Sequence, residues 1–261
     1  MNSIGSIGFI GVGDLAEYTI QGLRGGGFAG TIYLCPRNRK MSAHLAATFD
    51  CEVLESNQAV ADASECLIIS TRPTHCLDAL KVLSFQPGQL LVSVVAGMQM
   101  ETLREVVPED VEIVRTMPVN SAKAGASPTL VYPAHAAVEA LFDYCGDSIS
   151  VDTEGAFDQG SVLACVYTWY FSLFEQLIQS TSNELLPADK ARQLVLGMAK
   201  GAASLALQKT ETPGEIAEAI ATEGTFSKLG LDILKEQDAF KPWDEACELL
   251  IQRMSYTANP Q

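Results

Sequence analysis

The sequence is short of cations, of histidine and of paired cysteine. Lys and Arg number 17 against 32 Asp and Glu, a formal net charge of −15. Such a surface repels nucleic acid and anionic membrane over most of its extent, so neither is expected as a partner, and an anionic ligand would need a local basic patch. The three histidines, His44, His75 and His135, are isolated in sequence and are read as surface or core residues. The seven cysteines (Cys35, Cys51, Cys66, Cys76, Cys145, Cys165 and Cys247) have apolar neighbours, no CxxC and no histidine at metal-ligand spacing. Reduced, buried thiols and no metal are therefore expected. No run approaches the roughly 18 consecutive apolar residues of a membrane span. Residues 1–5 carry no basic, signal-like pattern, so a cytoplasmic protein is expected.

What the chain does have is an apolar fraction of 48% over 261 residues, enough for one large or two modest domains with real cores. Residues 7–23, IGFIGVGDLAEYTIQGL, run from an apolar strand through a glycine turn into a helical pattern, as a dinucleotide-binding βαβ unit begins. Gly11-Val12-Gly13-Asp14-Leu15-Ala16 fits GxGxxA. The first glycine permits the tight turn, the second lets a pyrophosphate approach the backbone, and the small Ala16 lets helix and strand pack closely. Free N–H groups and the positive dipole end of the helix then face the phosphates. Alone the motif is a weak signal, because glycines in such a turn can be solving a steric problem only. Its place at the head of alternating strands and helices strengthens it.

The end of the second strand, 31–35, discriminates between cofactors. An NAD site usually has Asp or Glu about 20 residues past the glycine turn, on the ribose 2′-hydroxyl, whereas an NADP site leaves room and supplies Arg. Here Pro36-Arg37-Asn38-Arg39-Lys40 follows, without an acid. NADP(H) is predicted, with Arg37, Asn38 and Arg39 around the 2′-phosphate and NAD(H) as the lesser option. The alternative is a solvated basic start to the next helix.

Further strand and helix patterns alternate to about residue 151: strands at 51–54, 66–70, 90–95, 111–116, 129–132 and 148–151, and helices that include 74–83 and 134–144. Their polar or small-residue loops, Thr71-Arg72-Pro73, Ala96-Gly97 and Met117-Pro118, fall where a doubly wound sheet binds ligands, at the carboxyl ends of its strands. From about 155 the strand signal disappears. Val162, Val166, Trp169, Tyr170, Leu173, Phe174 and Leu177 recur at helical spacing, a stripe read as core or subunit interface. A second helix follows Pro187, with Gly197 and Gly201 spaced for a close helix crossing. Thr212-Pro213-Gly214-Glu215 has the form of a capping box opening a third helix. Two more helices are expected near 228–237 and 242–254, and a frayed tail over 255–261. The predicted architecture is an N-terminal Rossmann-type doubly wound α/β domain over 1–154, followed by an all-helical domain over 155–261.

Taken in order, IGFIGVGDLAEYTIQGL, the Arg-rich end of the second strand, STRP (70–73, where the family often has Lys-Pro), VVAG (94–97), VRTMP (114–118) and TPGEIAEAIATEGTF (212–226) resemble the pyrroline-5-carboxylate reductase family over nearly the whole chain. The resemblance implies hydride transfer from NAD(P)H to the C=N carbon of a cyclic imine, giving L-proline. It also implies a homodimer through the C-terminal helices, with further assembly in some members. In the family a glycine-rich turn ending in Thr residues sets a hydroxyl near the imine and N–H groups near the substrate carboxylate. The corresponding residues here are Gly224, Thr225 and Phe226, with Thr225 as the implied catalytic hydroxyl and Phe226 where a second Thr is usual. The family's MPNTPA is here MPVNSA, placing Val119 and Asn120 at the substrate. Its SGSGPAY is largely lost over 163–169. Asp14 stands where Asn is common beside the pyrophosphate, and is expected to turn outward. The implied function is thus an NADP(H)-dependent imine reductase with a remodelled substrate pocket. The alternatives are a reductase of another imine or a 2-oxo acid, and a non-catalytic NADP(H)-binding homologue acting as sensor or partner subunit.

Overall fold

The structure is a computed structural model that describes residues 4–257. Its first part alternates strictly: β1 (Ser6–Ile10), α1 (Asp14–Gly25), β2 (Thr31–Leu34), α2 (Arg39–Phe49), β3 (Glu52–Val53), α3 (Asn57–Ala63), β4 (Cys66–Ile69), α4 (Pro73–Leu80), β5 (Leu90–Ser93), α5 (Met100–Arg104) and β6 (Glu112–Met117). A 3-10 turn at Asn120–Ala124 leads into β7 (Ser127–Tyr132), α6 (Ala136–Phe142), β8 (Gly146–Ser150) and α7 (Glu154–Ser161). Beyond Ser150 every element among the described residues is helical: α8 (Leu163–Thr181), α9 (Ala188–Gln208), α10 (Pro213–Ile220), α11 (Phe226–Glu236) and α12 (Lys241–Thr257) follow α7.

The strands form one sheet in the order β3-β2-β1-β4-β5-β6-β7-β8. Every pairing is parallel except β6 with β7. A parallel sheet has helices on both faces, so its central strands must be apolar throughout. Cys66 to Ile69 and Leu90 to Ser93 are accordingly buried at every position. The strand order reverses between β1, which leads out towards β2 and β3, and β4, which leads the other way. In such sheets the crevice at the carboxyl ends on either side of that reversal is the ligand site.

Several elements differ at their ends from the sequence expectation. The helix expected over 74–83 stops at Leu80, and the strand expected to Val95 stops at Ser93. β7 starts two residues early, and its antiparallel direction carries no sequence signal. α12 runs through Thr257, so the tail taken as frayed from 255 is helical for its first three positions, and 258–261 lie outside the described residues.

By its contacts the described chain divides into two compact units, one of residues 165–252 and the other of residues 4–164 and 253–257. The unit that carries the sheet holds an extensive core around Ile7, Phe9, Ile20, Leu45, Leu67, Val92 and Phe142. Five cysteines are buried there, whereas Cys165 and Cys247 are half-buried, contrary to the expectation for all seven. Burial pushes the Cys145 thiol up to about 12 and Cys66 higher still, which keeps them protonated and inert. In the helical unit only Val166, Ala191 and Ala221 are buried among the described residues. Trp169 and Trp243 meet edge to face at 5.8 Å. Gly197 and Gly201 make no close crossing among the described residues: a Cβ at either would meet nothing within 4 Å. No helix of the described residues is long and apolar enough to cross a membrane.

Candidate functional site

The glycine turn sits at the sheet reversal and is held from both sides. Gly11 has φ +93, and a Cβ there would lie 2.8 Å from the Ser70 carbonyl carbon and oxygen, so only glycine fits. Its N–H donates to Cys35 Sγ at 3.3 Å, and its carbonyl accepts from the Ser70 hydroxyl. From the other side the Asn38 carboxamide donates to the Val12 carbonyl at 2.8 Å. α1 starts at Asp14 with Gly13 as N-cap and no side-chain cap, leaving its first N–H groups open to an acceptor. A Cβ on Gly13 would meet nothing within 4 Å, so the space above the turn is available to a ligand.

That space is a cavity of about 440 Å³. The turn (Gly11, Val12, Gly13), the β2–α2 junction (Arg37, Asn38) and the β4–α4 junction (Ser70, Thr71, Arg72, His75) line it. No carboxylate is among these residues, in a chain of net charge −15. Thr71 Oγ1 is buried without a hydrogen-bond partner among the described residues. Open helix N–H groups, two guanidinium groups and an unpartnered hydroxyl around a glycine turn fit the pyrophosphate and phosphoribose of a dinucleotide.

Asp14 is exposed on the first turn of α1, and Leu15 packs against the core. Arg39 opens α2, exposed, and does not line the cavity. The Asn38 side chain also caps α2 through the Met41 N–H, so its carboxamide is engaged within the chain. Pro73 is the first residue of α4, where a missing N–H costs nothing. Ala96 and Gly97 (φ +70) are exposed just past β5. Met117 ends β6 and Pro118 is buried. The Val119 N–H donates to Ser127 Oγ at 3.0 Å and Asn120 is exposed. Lys123 lies over the Tyr18 ring at 5.0 Å. In the helical unit, Gly224 has φ +80 and Phe226 is 94% exposed. Thr225 is the N-cap of α11: its hydroxyl donates to the Thr222 carbonyl at 2.7 Å and accepts from the Lys228 N–H at 3.2 Å.

Two features escaped the sequence reading. His75, set aside as an isolated histidine, lies on the first turn of α4 and lines the cavity. Its signal was its spacing, three residues past Arg72 in the same junction. The second is Arg115, 2% exposed at the centre of a charge cluster. It pairs with Glu154 at 2.5 Å and Asp158 at 2.9 Å and lies over the Phe157 ring at 4.4 Å. Glu154 also accepts from the Met100 N–H, and Gln99 donates to Asp158. Glu154 and Asp158 are four apart on α7 and share a face, so one cation fastens β6, α7 and the start of α5.

Comparison with known proteins adds the following. Residues 6–97 match the model of the family described as NADP oxidoreductase, coenzyme F420-dependent, and 155–256 that described as pyrroline-5-carboxylate reductase dimerisation. The chain is 30% identical over 252 residues to a pyrroline-5-carboxylate reductase of Pseudomonas aeruginosa, covering 88% of this chain and 92% of that one. Its fold is that of the Streptococcus pyogenes 1-pyrroline-5-carboxylate reductase, with TM-score 0.84 and 24% identity over 97% of this chain and 99% of the other. The Plasmodium falciparum pyrroline carboxylate reductase, solved with NADP bound, gives TM-score 0.85 at 18% identity over 99% and 100% of the two chains.

Proposed function

The chain belongs to the pyrroline-5-carboxylate reductase family, and on that premise we propose that it is an NADP(H)-dependent oxidoreductase reducing the C=N bond of pyrroline-5-carboxylate to L-proline. The observation that carries the reading is the acid-free, arginine-lined cavity over the Gly11–Gly13 turn, in a chain that is otherwise strongly acidic. When bound, the nicotinamide cofactor supplies the hydride. The protein groups bind and orient. Gly11, Gly13 and the α1 N-terminus take the pyrophosphate, with Leu15 fixing the helix against the core and Asp14 facing away. Arg37 and Arg72 hold the adenosine end, with Asn38 and Arg39 shaping the start of α2 and Pro73 that of α4. Ala96, Gly97, Met117 and Pro118 form the strand ends along which the dinucleotide extends. The family resemblance assigns Val119 and Asn120 of one unit and Gly224 and Phe226 of the other to the substrate, and Thr225 to the imine nitrogen, towards which its hydroxyl would turn from the Thr222 carbonyl.

Two further assignments accompany this reading. The unit from about 155 onward serves as dimerisation and substrate domain, and a second copy covers its exposed apolar face. The cytoplasm is its compartment. Phe226, standing in place of a hydroxyl, favours a second reading in which the substrate is a less polar imine or a 2-oxo acid.

Purified protein mixed with NADPH and pyrroline-5-carboxylate should oxidise the cofactor, followed by loss of its absorbance, and proline should accumulate. Turnover only with other cyclic imines or 2-oxo acids would move the chain to the second reading. NADPH binding without turnover on any of these would leave a non-catalytic dinucleotide-binding protein.

A further inference from the structure

We propose that His75, with Arg72, forms a second wall of the subsite for the cofactor's adenosine 2′-phosphate, opposite Arg37, and that His75 helps set the preference for NADP(H) over NAD(H). The inference rests on the cofactor reading above and extends it to a residue outside the glycine and β2-end motifs.

The topology places the two walls. β1 has β2 and β4 as its neighbours, so the junctions after those two strands flank the glycine turn that follows β1. The β2 junction contributes Arg37 to the cavity, and the β4 junction contributes Arg72 and His75. Arg39 does not line the cavity, and Asn38 is engaged with Val12 and Met41. Of the residues just past β2, Arg37 is the cation that lines the cavity. A phosphate monoester presents three acceptor oxygens, and one guanidinium engages at most two of them in a bidentate pair. The opposite wall carries donors that can meet the remaining acceptor.

The availability of these side chains points the same way. His44 lies 3.6 Å from Glu17, and His135 lies 3.0 Å from Glu112 and caps α6. Arg24 and Arg104 spend their guanidinium groups on backbone carbonyls, and Arg115 is ion-paired. His75, Arg72 and Arg37 have no hydrogen bond or ion pair from their side chains among the described residues. His75 is held only by its backbone, whose N–H donates to the Arg72 carbonyl at 2.9 Å. An imidazole offers at least one N–H donor in either protonation state, so the ring can serve a phosphate oxygen without a paired carboxylate to turn it away.

The test is equilibrium binding of NADPH and NADH to the full chain, by cofactor fluorescence and calorimetry, for the unaltered protein and for H75A and H75Q. Losing one charge-assisted hydrogen bond corresponds to about tenfold in affinity. H75A should weaken NADPH by about that factor while NADH changes by less than about twofold, and H75Q, which keeps a donor, should recover part of the loss. Because His75 is exposed, the fold should survive, and an unchanged circular dichroism melt checks that it has. An NADPH preference that H75A leaves intact, or an equal loss for both dinucleotides, overturns the inference alone. Equal binding of NADPH and NADH by the unaltered protein overturns the NADP(H) reading and the inference with it.

Discussion

The two compact units are similarly apolar in sequence and opposite in how they use it. In the nucleotide-binding unit the central strands and the inner faces of α1, α2 and α3 are closed within the chain, from Ile7 to Phe142. In the helical unit Tyr170, Phe171, Leu173, Leu177, Leu194 and Met198 are exposed, the last at 72%, and α8 and α9 flank an apolar groove of about 500 Å³. Monomeric surfaces rarely carry contiguous apolar patches beyond a few hundred Å². Helical periodicity reports that a face is apolar, not whether its cover comes from the same chain. One unit closes its core within the chain, and the other leaves an apolar face that the described residues do not cover.

The strongest way to break the sheet-bearing unit is through the charge cluster around Arg115. Arg115→Met would leave Glu154 and Asp158 facing each other without their cation, and breaking a buried pair in this way costs about 3–5 kcal/mol. Both carboxylates keep some solvent access, at 26% and 16% of their side-chain surface, so the lower end of that range is expected. Urea denaturation should show the loss, with R115K losing less because a single ammonium still meets one acid. An R115M variant as stable as the parent would mean that the cluster is solvated and contributes little.

The helical unit should break differently. Met198→Asp on the groove wall would place a carboxylate where we propose a second copy packs, weakening association about 100-fold, or about 2.7 kcal/mol. Sedimentation should show dimers for the parent and monomers for the variant, with NADPH affinity little changed because the cofactor cavity belongs to the other unit. A variant that still sediments as a dimer would place the interface elsewhere, and a monomeric parent would remove the proposed dimer.

The same contrast explains what could be read from the sequence. The glycine turn, the strand alternation and the capping box at Thr212 are local patterns, with causes that lie within a few residues of one another. The capping box is indeed formed in both directions, between Thr212 and Glu215. Arg115 was legible only as part of VRTMP, because its partners lie 39 and 43 positions away and nothing local announces them. The antiparallel β7 was missed because alternation reports faces and not direction. His75 looked isolated because its neighbours Arg37 and Gly11 are gathered by the sheet order. Cys165 and Cys247 were expected to be buried because their helices are apolar, although those helices are incompletely covered within one chain.

The smallest effect concerns Thr225, and it decides between a structural and a chemical use of one hydroxyl. As N-cap of α11 it accepts from the Lys228 N–H and donates to the Thr222 carbonyl, so Thr225→Ala should cost about 1 kcal/mol by loss of the cap alone. The family resemblance gives the same hydroxyl to the imine, so T225A should also lower turnover while leaving NADPH affinity little changed. Stability and turnover would then fall together, and this variant cannot say which loss caused which. Thr225→Asn separates them, because an asparagine oxygen caps a helix as well as threonine does but offers no hydroxyl. If T225N keeps the parent's melting temperature and still loses turnover, the hydroxyl acts on the substrate. If T225N restores both, Thr225 only holds the turn between α10 and α11, and the proton that accompanies reduction at nitrogen comes from another donor.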